Sequence, residues 1–260
     1  MTFRTLAVSA AMAAALTASL YAQKPVLTED FESGKIDPAV WDLRKQGAPT
    51  IGVEQVDGAH GKYALHIHYP DMERGAFAFI VATHLPDSVR THYFGRAYMK
   101  ITPTLATSHN PLIFTGEPGW PLSRFQEIGT SRANWMPSYQ ENKSLTAATG
   151  RGEVTWRSDV TPPYDKWFLL EWEFNDNPTS IRIWVDGEPV MNFMDKERKV
   201  PVDTVTFTWP KNDPDPKNSN LTGGYQEWGF GMRAWQNPTP AMDVYYDDIA
   251  ISPTRIGPVK

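Results

Sequence analysis

The chain has 260 residues, a formal net charge of -5 and 41% hydrophobic residues, which is enough for one large domain with a substantial core. Its 22 prolines and 18 glycines predict many turns and disfavour long helices. The mildly acidic balance gives no basic surface for nucleic acid, and a chain with no cysteine cannot form a disulfide.

The N-terminus is predicted to be a targeting segment, residues 1–22. Arg4 precedes an alanine-rich apolar run at positions 6–20, and Ala22 ends it, which is the pattern of a secretory signal peptide. The run is short for a membrane-spanning helix, which needs about 20 apolar residues. No later segment could span a bilayer. We therefore expect a secreted or periplasmic monomer in which residues 23–260 form a single domain.

Period-two alternation of apolar and polar residues predicts strands along most of the mature chain. Residues 102–119 are interpreted as loop-rich around a short apolar segment at 111–114, residues 131–151 as irregular, and residues 210–224 as a surface loop. The predicted strands are 51–56, 63–69, 77–84, 94–101, 124–129, 204–209, 225–235 and 244–252.

The clearest pattern is KWFLLEWEFNDNPTSIRIWVDGEPVMNF, residues 166–193. Two alternating runs are separated by a predicted loop at 175–180, because Asn, Asp and Pro favour turns. Asp186-Gly187 then predicts a tight hairpin, because this pair tolerates the positive φ of a type I′ turn. The stretch therefore predicts an antiparallel meander, with Glu171 and Glu173 on one face of its first strand.

The pattern W-F-x-x-E-W-x-F-N followed by I-x-I-W-V-D-G resembles the back-sheet strands of concanavalin-A-like jelly rolls. The opening D-F-E-S-G and D-P-A-V-W resemble secreted jelly rolls of the lyase type, and the closest resemblance is to glucuronan-lyase-like proteins and secreted jelly-roll proteins of cellulose degraders. This resemblance implies an all-β fold, a jelly-roll sandwich of two antiparallel sheets. It also implies a groove for an extended polysaccharide on the concave sheet. The meander belongs to the back sheet in that family, so Glu171 and Glu173 are expected to face solvent.

Acidic residues stand at both ends of the predicted domain, Glu32 near the first strand and Asp247 and Asp248 in the last. First and last strands of an antiparallel jelly roll commonly lie side by side, so the acids could share a calcium ion with carbonyls of the 57–61 turn. The family resemblance implies such a structural calcium site. The alternative is that these acids cap turns or face solvent.

His66 and His68 lie two residues apart on one strand face, a spacing that can chelate a metal. A transition-metal site is nevertheless disfavoured, because the sequence signals no third ligand. The histidines are interpreted as a half-exposed pair on a strand.

The strand R-F-Q-E-I-G suits β-elimination on a uronate polymer, in which a cation neutralises the sugar carboxylate while a base removes the C5 proton. Arg124 and Gln126 share a face and could grip the carboxylate. His109, expected in a loop, is the candidate base, Tyr225 the candidate acid and Arg233 a second cation. Four tryptophans are predicted to stack on sugar rings or, alternatively, to belong to the core: Trp120, Trp135, Trp228 and Trp235.

The alginate-lyase motifs R-T-E-L-R, Q-I-H and Y-F-K-A-G-x-Y do not occur as such in this sequence. Two other functions therefore stay open. One is a non-catalytic carbohydrate-binding module, which would need aromatic platforms and no titratable group. The other is a glycoside hydrolase, which needs two carboxylates across the scissile bond, and here only Glu127 lies on the comparable strand.

Overall fold

The structure, a computed structural model, describes residues 24–57, 60–71, 74–102, 109–121, 125–140, 153–155, 158–176, 179–194, 205–208, 224–235 and 241–259. The predicted signal peptide lies outside this part of the chain. The described strands are β1 (Leu27–Glu29), β2 (Asp42–Gln46), β3 (Thr50–Gln55), β4 (Tyr63–Tyr69), β5 (Phe77–Ala82), β6 (His92–Thr102), β7 (His109–Gly116), β8 (Phe125–Ser131), β9 (Asn134–Gln140), β10 (Glu153–Thr155), β11 (Phe168–Asp176), β12 (Thr179–Val185), β13 (Glu188–Met194), β14 (Val205–Thr208), β15 (Glu227–Arg233) and β16 (Met242–Ser252).

Two sheets contain these strands. A nine-stranded sheet has the order β14-β13-β12-β11-β6-β16-β4-β3 with β1 beside β16, and a seven-stranded sheet has the order β10-β9-β8-β7-β15-β5-β2. Neighbours are antiparallel except β13 and β14, which pair in parallel. The expected all-β jelly-roll sandwich is confirmed, and β1 does lie against β16, the last strand.

The core lies between the two sheets because each strand turns alternate side chains toward the other sheet. Trp172 of the nine-stranded sheet packs on Phe230 of the seven-stranded sheet, with ring centroids 5.9 Å apart. Tyr246 of β16 reaches across as well, and its hydroxyl lies 2.7 Å from the carbonyl oxygens of Leu112 and Gly231. The sheets are therefore joined by polar as well as apolar contacts.

The meander of β11, β12 and β13 is confirmed. Asp186 and Gly187 have φ values of +52° and +86°, the two positive angles of a type I′ turn. The loop predicted at 175–180 is wrong in its extent, because β11 and β12 continue to pair as far as Asp176 and Thr179.

Two segments predicted to lack strands are strands. β7 contains the segment 111–114 and is central in its sheet, and all of its residues are buried, so it shows no alternation. Pro111 is tolerated there because the register shifts beside it. β9 returns from β8 through Arg132 and Ala133, which both adopt positive φ without the glycine that usually signals such a turn.

Across the described residues, the structure contains no helix with the length and apolar character needed to cross a membrane.

Candidate functional site

The outer face of the seven-stranded sheet, which points away from the core, carries a second apolar cluster. Alternation along β5 sends Ala78 and Ile80 into the core and Phe79 to the outer face. Gly229 of β15 leaves room for the ring of Phe114, which a Cβ at that position would overlap. The cluster consists of Phe79, Val81, Phe114, Trp120 and Phe125, with Phe77 and Trp235 packed against it.

Three polar side chains from adjacent strands meet beside this cluster. His109 Nε2 of β7 lies 3.1 Å from Glu127 Oε1 of β8, and Ser138 Oγ of β9 donates a 2.7 Å hydrogen bond to the same oxygen. The strand register places Glu127 directly opposite Ser138. The exposed fraction is 4% for His109 and 0% for Glu127, so the pair is shielded from bulk water.

Arg233 at the end of β15 extends over the same face. Its guanidinium carbon lies 3.6 Å from the Trp235 ring centroid and 5.3 Å from that of Trp120. Burial lowers the pKa of Arg233, although the charge of Glu127 opposes this shift. No described residue accepts a hydrogen bond from Nε or Nη1 of Arg233, and both atoms are buried. These two atoms lie on different edges of the guanidinium, so a carboxylate could satisfy one of them in a paired, charge-assisted arrangement with Nη2.

Gln126 and Tyr225 do not reach this face, contrary to the sequence prediction. Gln126 Nε2 donates a 2.9 Å hydrogen bond to the carbonyl oxygen of Asn175 in the opposite sheet. Tyr225 is 0% exposed and packs edge-on against Tyr93. Burial raises the pKa of Tyr225 well above its usual value. Both side chains lie between the sheets, so neither is placed to act on a bound polysaccharide.

The four tryptophans divide between the two faces. Trp135 and Trp228 are 0% and 1% exposed and belong to the core between the sheets, where they cannot stack on a sugar. Trp120 and Trp235 lie on the outer face, and Trp235 is the more exposed of the two. Arg124, predicted to grip the substrate carboxylate, lies outside the described residues.

The predicted location of His109 is also wrong, because the residue lies in β7 rather than in a loop. Its pairing with Glu127 was missed at the level of the sequence. The signal that could have found it is the hairpin of β7 and β8, which makes the two strands neighbours and places His109 opposite Ser131 and Phe114 opposite Glu127. Recognising that hairpin requires residues 111–114 to be interpreted as a strand.

The three predicted calcium ligands all contact the segment 60–63. Glu32 Oε1 accepts hydrogen bonds of 2.7 Å and 2.9 Å from the backbone N–H groups of Lys62 and Tyr63. Asp247 Oδ2 accepts one of 2.9 Å from the His60 N–H, and Asp248 Oδ2 lies 2.6 Å from His60 Nδ1.

This oxygen set suits calcium in its chemistry. Burial raises the pKa of Asp247 to about 6, which a nearby cation would counteract. The three acids are not, however, among the described His, Asp and Glu triples whose ligand atoms lie within 4.8 Å of one another. Calcium here is therefore a proposal that needs backbone oxygens as well as Glu32 and one of the aspartates.

Glu171 and Glu173 do not face solvent, contrary to the prediction. They are 2% and 3% exposed on the outer face of the nine-stranded sheet. Arg255 binds both carboxylate oxygens of Glu171 at 3.1 Å and 2.8 Å, and His92 and Arg182 pair with Glu173. Each buried carboxylate has a charged partner, so the two glutamates form structural ion pairs and are not free carboxylates.

Comparison with solved structures identifies the same fold in two proteins along their whole length. One is titled cellulose induced protein Cip1, at 17% identity, and the other is an endo-β-1,4-glucuronan lyase from the fungus Trichoderma reesei, at 16% identity. Each has a TM-score of 0.60, and each alignment covers 90% of this chain and 100% of that one. The chain therefore shares their concanavalin-A-like jelly-roll fold.

A more distant similarity exists to the binding domain of botulinum neurotoxin serotype C1, with 10% identity and a TM-score of 0.52 over 83% of this chain and 44% of that one. No family model and no curated protein matches the sequence. At these identities the similarity shows the fold alone.

Proposed function

We propose that the protein is a secreted carbohydrate-active jelly roll that binds a uronate-containing polysaccharide on the outer face of its seven-stranded sheet and cleaves it by β-elimination. The observation that carries the proposal is the guanidinium of Arg233, whose buried Nε and Nη1 have no acceptor among the described residues. It lies on the same face as the His109–Glu127 pair. A sugar carboxylate supplies an acceptor for one of these two atoms, paired with Nη2.

The reaction requires the C5 proton of a uronate to become acidic. Two hydrogen bonds from Arg233 to the carboxylate stabilise the negative charge that develops there as the proton leaves. His109 is the base, and Glu127 orients its ring and stabilises the imidazolium that forms. As the C4–O bond breaks and the C4=C5 double bond forms, the same imidazolium returns its proton to the leaving oxygen. One ring serves both steps when both atoms lie on the same side of the sugar.

The aromatic residues around Arg233 define where a sugar ring would lie. Trp235 is only partly buried, and the Arg233 guanidinium stacks on it at 3.6 Å. A sugar that places its carboxylate on Arg233 therefore also contacts Trp235. Because a structural neighbour is titled an endo-β-1,4-glucuronan lyase, β-1,4-glucuronan is the first polymer to test.

A non-catalytic carbohydrate-binding protein is the second candidate. It is favoured by the near-complete burial of His109 and Glu127, at 4% and 0% exposure, because a base must reach the proton that it removes. In that case Arg233 and Trp235 bind the polymer, and the His109–Glu127 pair only stabilises the strands that contain it.

A glycoside hydrolase is less well supported. Glu227 also points to the outer face of the sheet, but Arg44 binds its two oxygens at 2.7 Å and 2.9 Å. A carboxylate held in this way is a poor second catalytic acid for Glu127.

The test uses purified mature protein with β-1,4-glucuronan, alginate and a neutral β-glucan. Ultraviolet absorbance detects the C4=C5 bond of an elimination product, and retardation in polymer-containing gels detects binding. Arg233→Lys should lower the elimination rate about 100-fold or more, because a lysine cannot donate the paired bonds that stabilise the developing charge. Arg132→Lys, at an exposed turn on the same sheet, is the matched control and should be unaffected.

An unsaturated product that depends on Arg233 supports the lyase. Binding that depends on Arg233 without any product supports the binding protein. Equal behaviour of the wild type and Arg233→Lys on every polymer contradicts both, because it removes Arg233 from the site.

A further inference from the structure

Two histidines and an aspartate meet on the outer face of the nine-stranded sheet, on the opposite side of the sandwich from Arg233. His66 and His68 point outward from β4, and Asp243 of β16 lies directly opposite His68 in the strand register. Their ligand atoms all lie within 4.8 Å of one another, the group of three His, Asp or Glu residues that meets this distance in the described chain. Asp243 is the third candidate ligand, which the sequence did not reveal.

The two imidazole rings converge on one carboxylate oxygen. His66 Nε2 lies 2.7 Å from Asp243 Oδ1, and His68 Nδ1 lies 2.8 Å from the same atom. Around a tetrahedral ion with bonds of about 2.0–2.2 Å, ligand atoms are roughly 3.3 Å apart. Each histidine nitrogen would need to move only about half an ångström away from Asp243 Oδ1, which small side-chain rotations provide.

The surroundings of His66 resemble the outer shell of a metal site. Glu54 Oε1 lies 2.7 Å from His66 Nδ1, the ring nitrogen that faces away from Asp243. Histidine ligands commonly donate their other N–H to a carboxylate, which fixes the ring and makes the ligating nitrogen more basic. Tyr245 stacks on the same ring at 4.3 Å with an interplanar angle of 7°, so the imidazole is held in one orientation.

We propose that His66, His68 and Asp243 bind a divalent transition-metal ion of the zinc class, with Glu54 as the residue that positions His66. Two imidazole nitrogens and one carboxylate oxygen suit zinc, copper or nickel rather than calcium or magnesium. Three protein ligands leave a fourth position that water can fill.

The cluster is open to solvent on one side. The side chains of His66, Asp243 and His68 are 17%, 30% and 45% exposed, so an ion can reach them and its water ligand would face outward. The site involves neither Arg233 nor His109, so its existence does not depend on the proposed carbohydrate function.

The experiment is a calorimetric titration of the purified mature protein with Zn²⁺ after treatment with a chelator, in a buffer with excess Ca²⁺. The wild type should bind one equivalent, and Asp243→Asn and His68→Gln should lose it. Glu54→Gln should bind about 10–100-fold more weakly, because it removes the carboxylate that orients His66. His92→Gln, which alters another histidine–carboxylate pair on this sheet, is the matched control and should bind as the wild type does.

His68→Gln guards against unfolding as an explanation, because this side chain is nearly half exposed. A second readout is the visible absorbance of Co²⁺ in place of Zn²⁺, which should appear in the wild type and disappear in both ligand variants. Absence of zinc binding by the wild type would overturn the proposal. So would equal binding by the wild type, Asp243→Asn and His68→Gln, since the ion would then lie elsewhere.

Discussion

The hydroxyl of Tyr246 offers a direct measure of how strongly the two sheets are joined. It is 0% exposed and lies 2.7 Å from both Leu112 O and Gly231 O, so its one hydrogen serves two carbonyl groups of the opposite sheet. Tyr246→Phe keeps the ring and removes that donor, so the two buried carbonyl groups lose this hydrogen bond. Loss of one partner of a buried hydrogen bond costs about 1–3 kcal/mol, and we expect this decrease in the free energy of unfolding.

The measurement is urea-induced unfolding of the purified protein in the presence of a chelator, with the wild type and two variants compared at one pH. Tyr245→Phe is the matched control, because the adjacent residue points to the outer face and keeps its stacking contact with His66. It should change the unfolding free energy by about 0.5 kcal/mol or less. Equal effects of the two substitutions would refute the reasoning, because they would show that the Tyr246 hydroxyl contributes no more than the half-buried hydroxyl of Tyr245.

Two further predictions concern charged groups. Burial raises the pKa of Glu173, but His92 and Arg182 outweigh it and hold that pKa below its usual value. The ionised Glu173 therefore stabilises the folded state fully at pH values above the usual glutamate pKa, and this stabilisation is lost as the pH falls through the lowered pKa of the native state. The free energy of unfolding, measured in urea titrations at several pH values, should decrease less toward acid pH for Glu173→Gln than for the wild type. If calcium binds at Glu32, added Ca²⁺ should raise the midpoint temperature of thermal unfolding for the wild type but not for Glu32→Gln. Glu188→Gln, at an exposed position, is the control and should respond as the wild type does. An equal rise in all three proteins would place the ion elsewhere.

The strands that the sequence predicts well are those with one apolar face. β6 alternates cleanly between buried and half-buried residues, because one side of it packs between the sheets. β7 was missed for the opposite reason. It is buried on both faces and begins with His, Asn and Pro, so it offers no alternation and only a short run of strand-forming residues. Tertiary packing, rather than local preference, makes it a strand.

The candidate site shows a different limit of the sequence. In β8 the period of two separates Gln126 from Glu127, but apolar residues occur on both faces, since Phe125 and Ile128 alternate with them. The pattern therefore does not tell which face meets the core. The prediction chose the face of Gln126 for the substrate, whereas the structure turns Gln126 inward and places Glu127 beside His109.

Residues far apart in the chain are the other limit, and β16 shows why. Asp243 becomes a neighbour of His68 only because β16 pairs with β4 in one particular register, in which Tyr245 lies opposite His66. A shift of one residue would turn Tyr246 toward solvent and Asp243 into the core. The aromatic ring would then lose its burial, and an unpaired carboxylate would be buried in its place. The inward side chains of β16 therefore specify the register, and the outward histidine–aspartate cluster follows from it. The cross-sheet contact of Tyr246 and the proposed metal site are thus two consequences of one strand pairing.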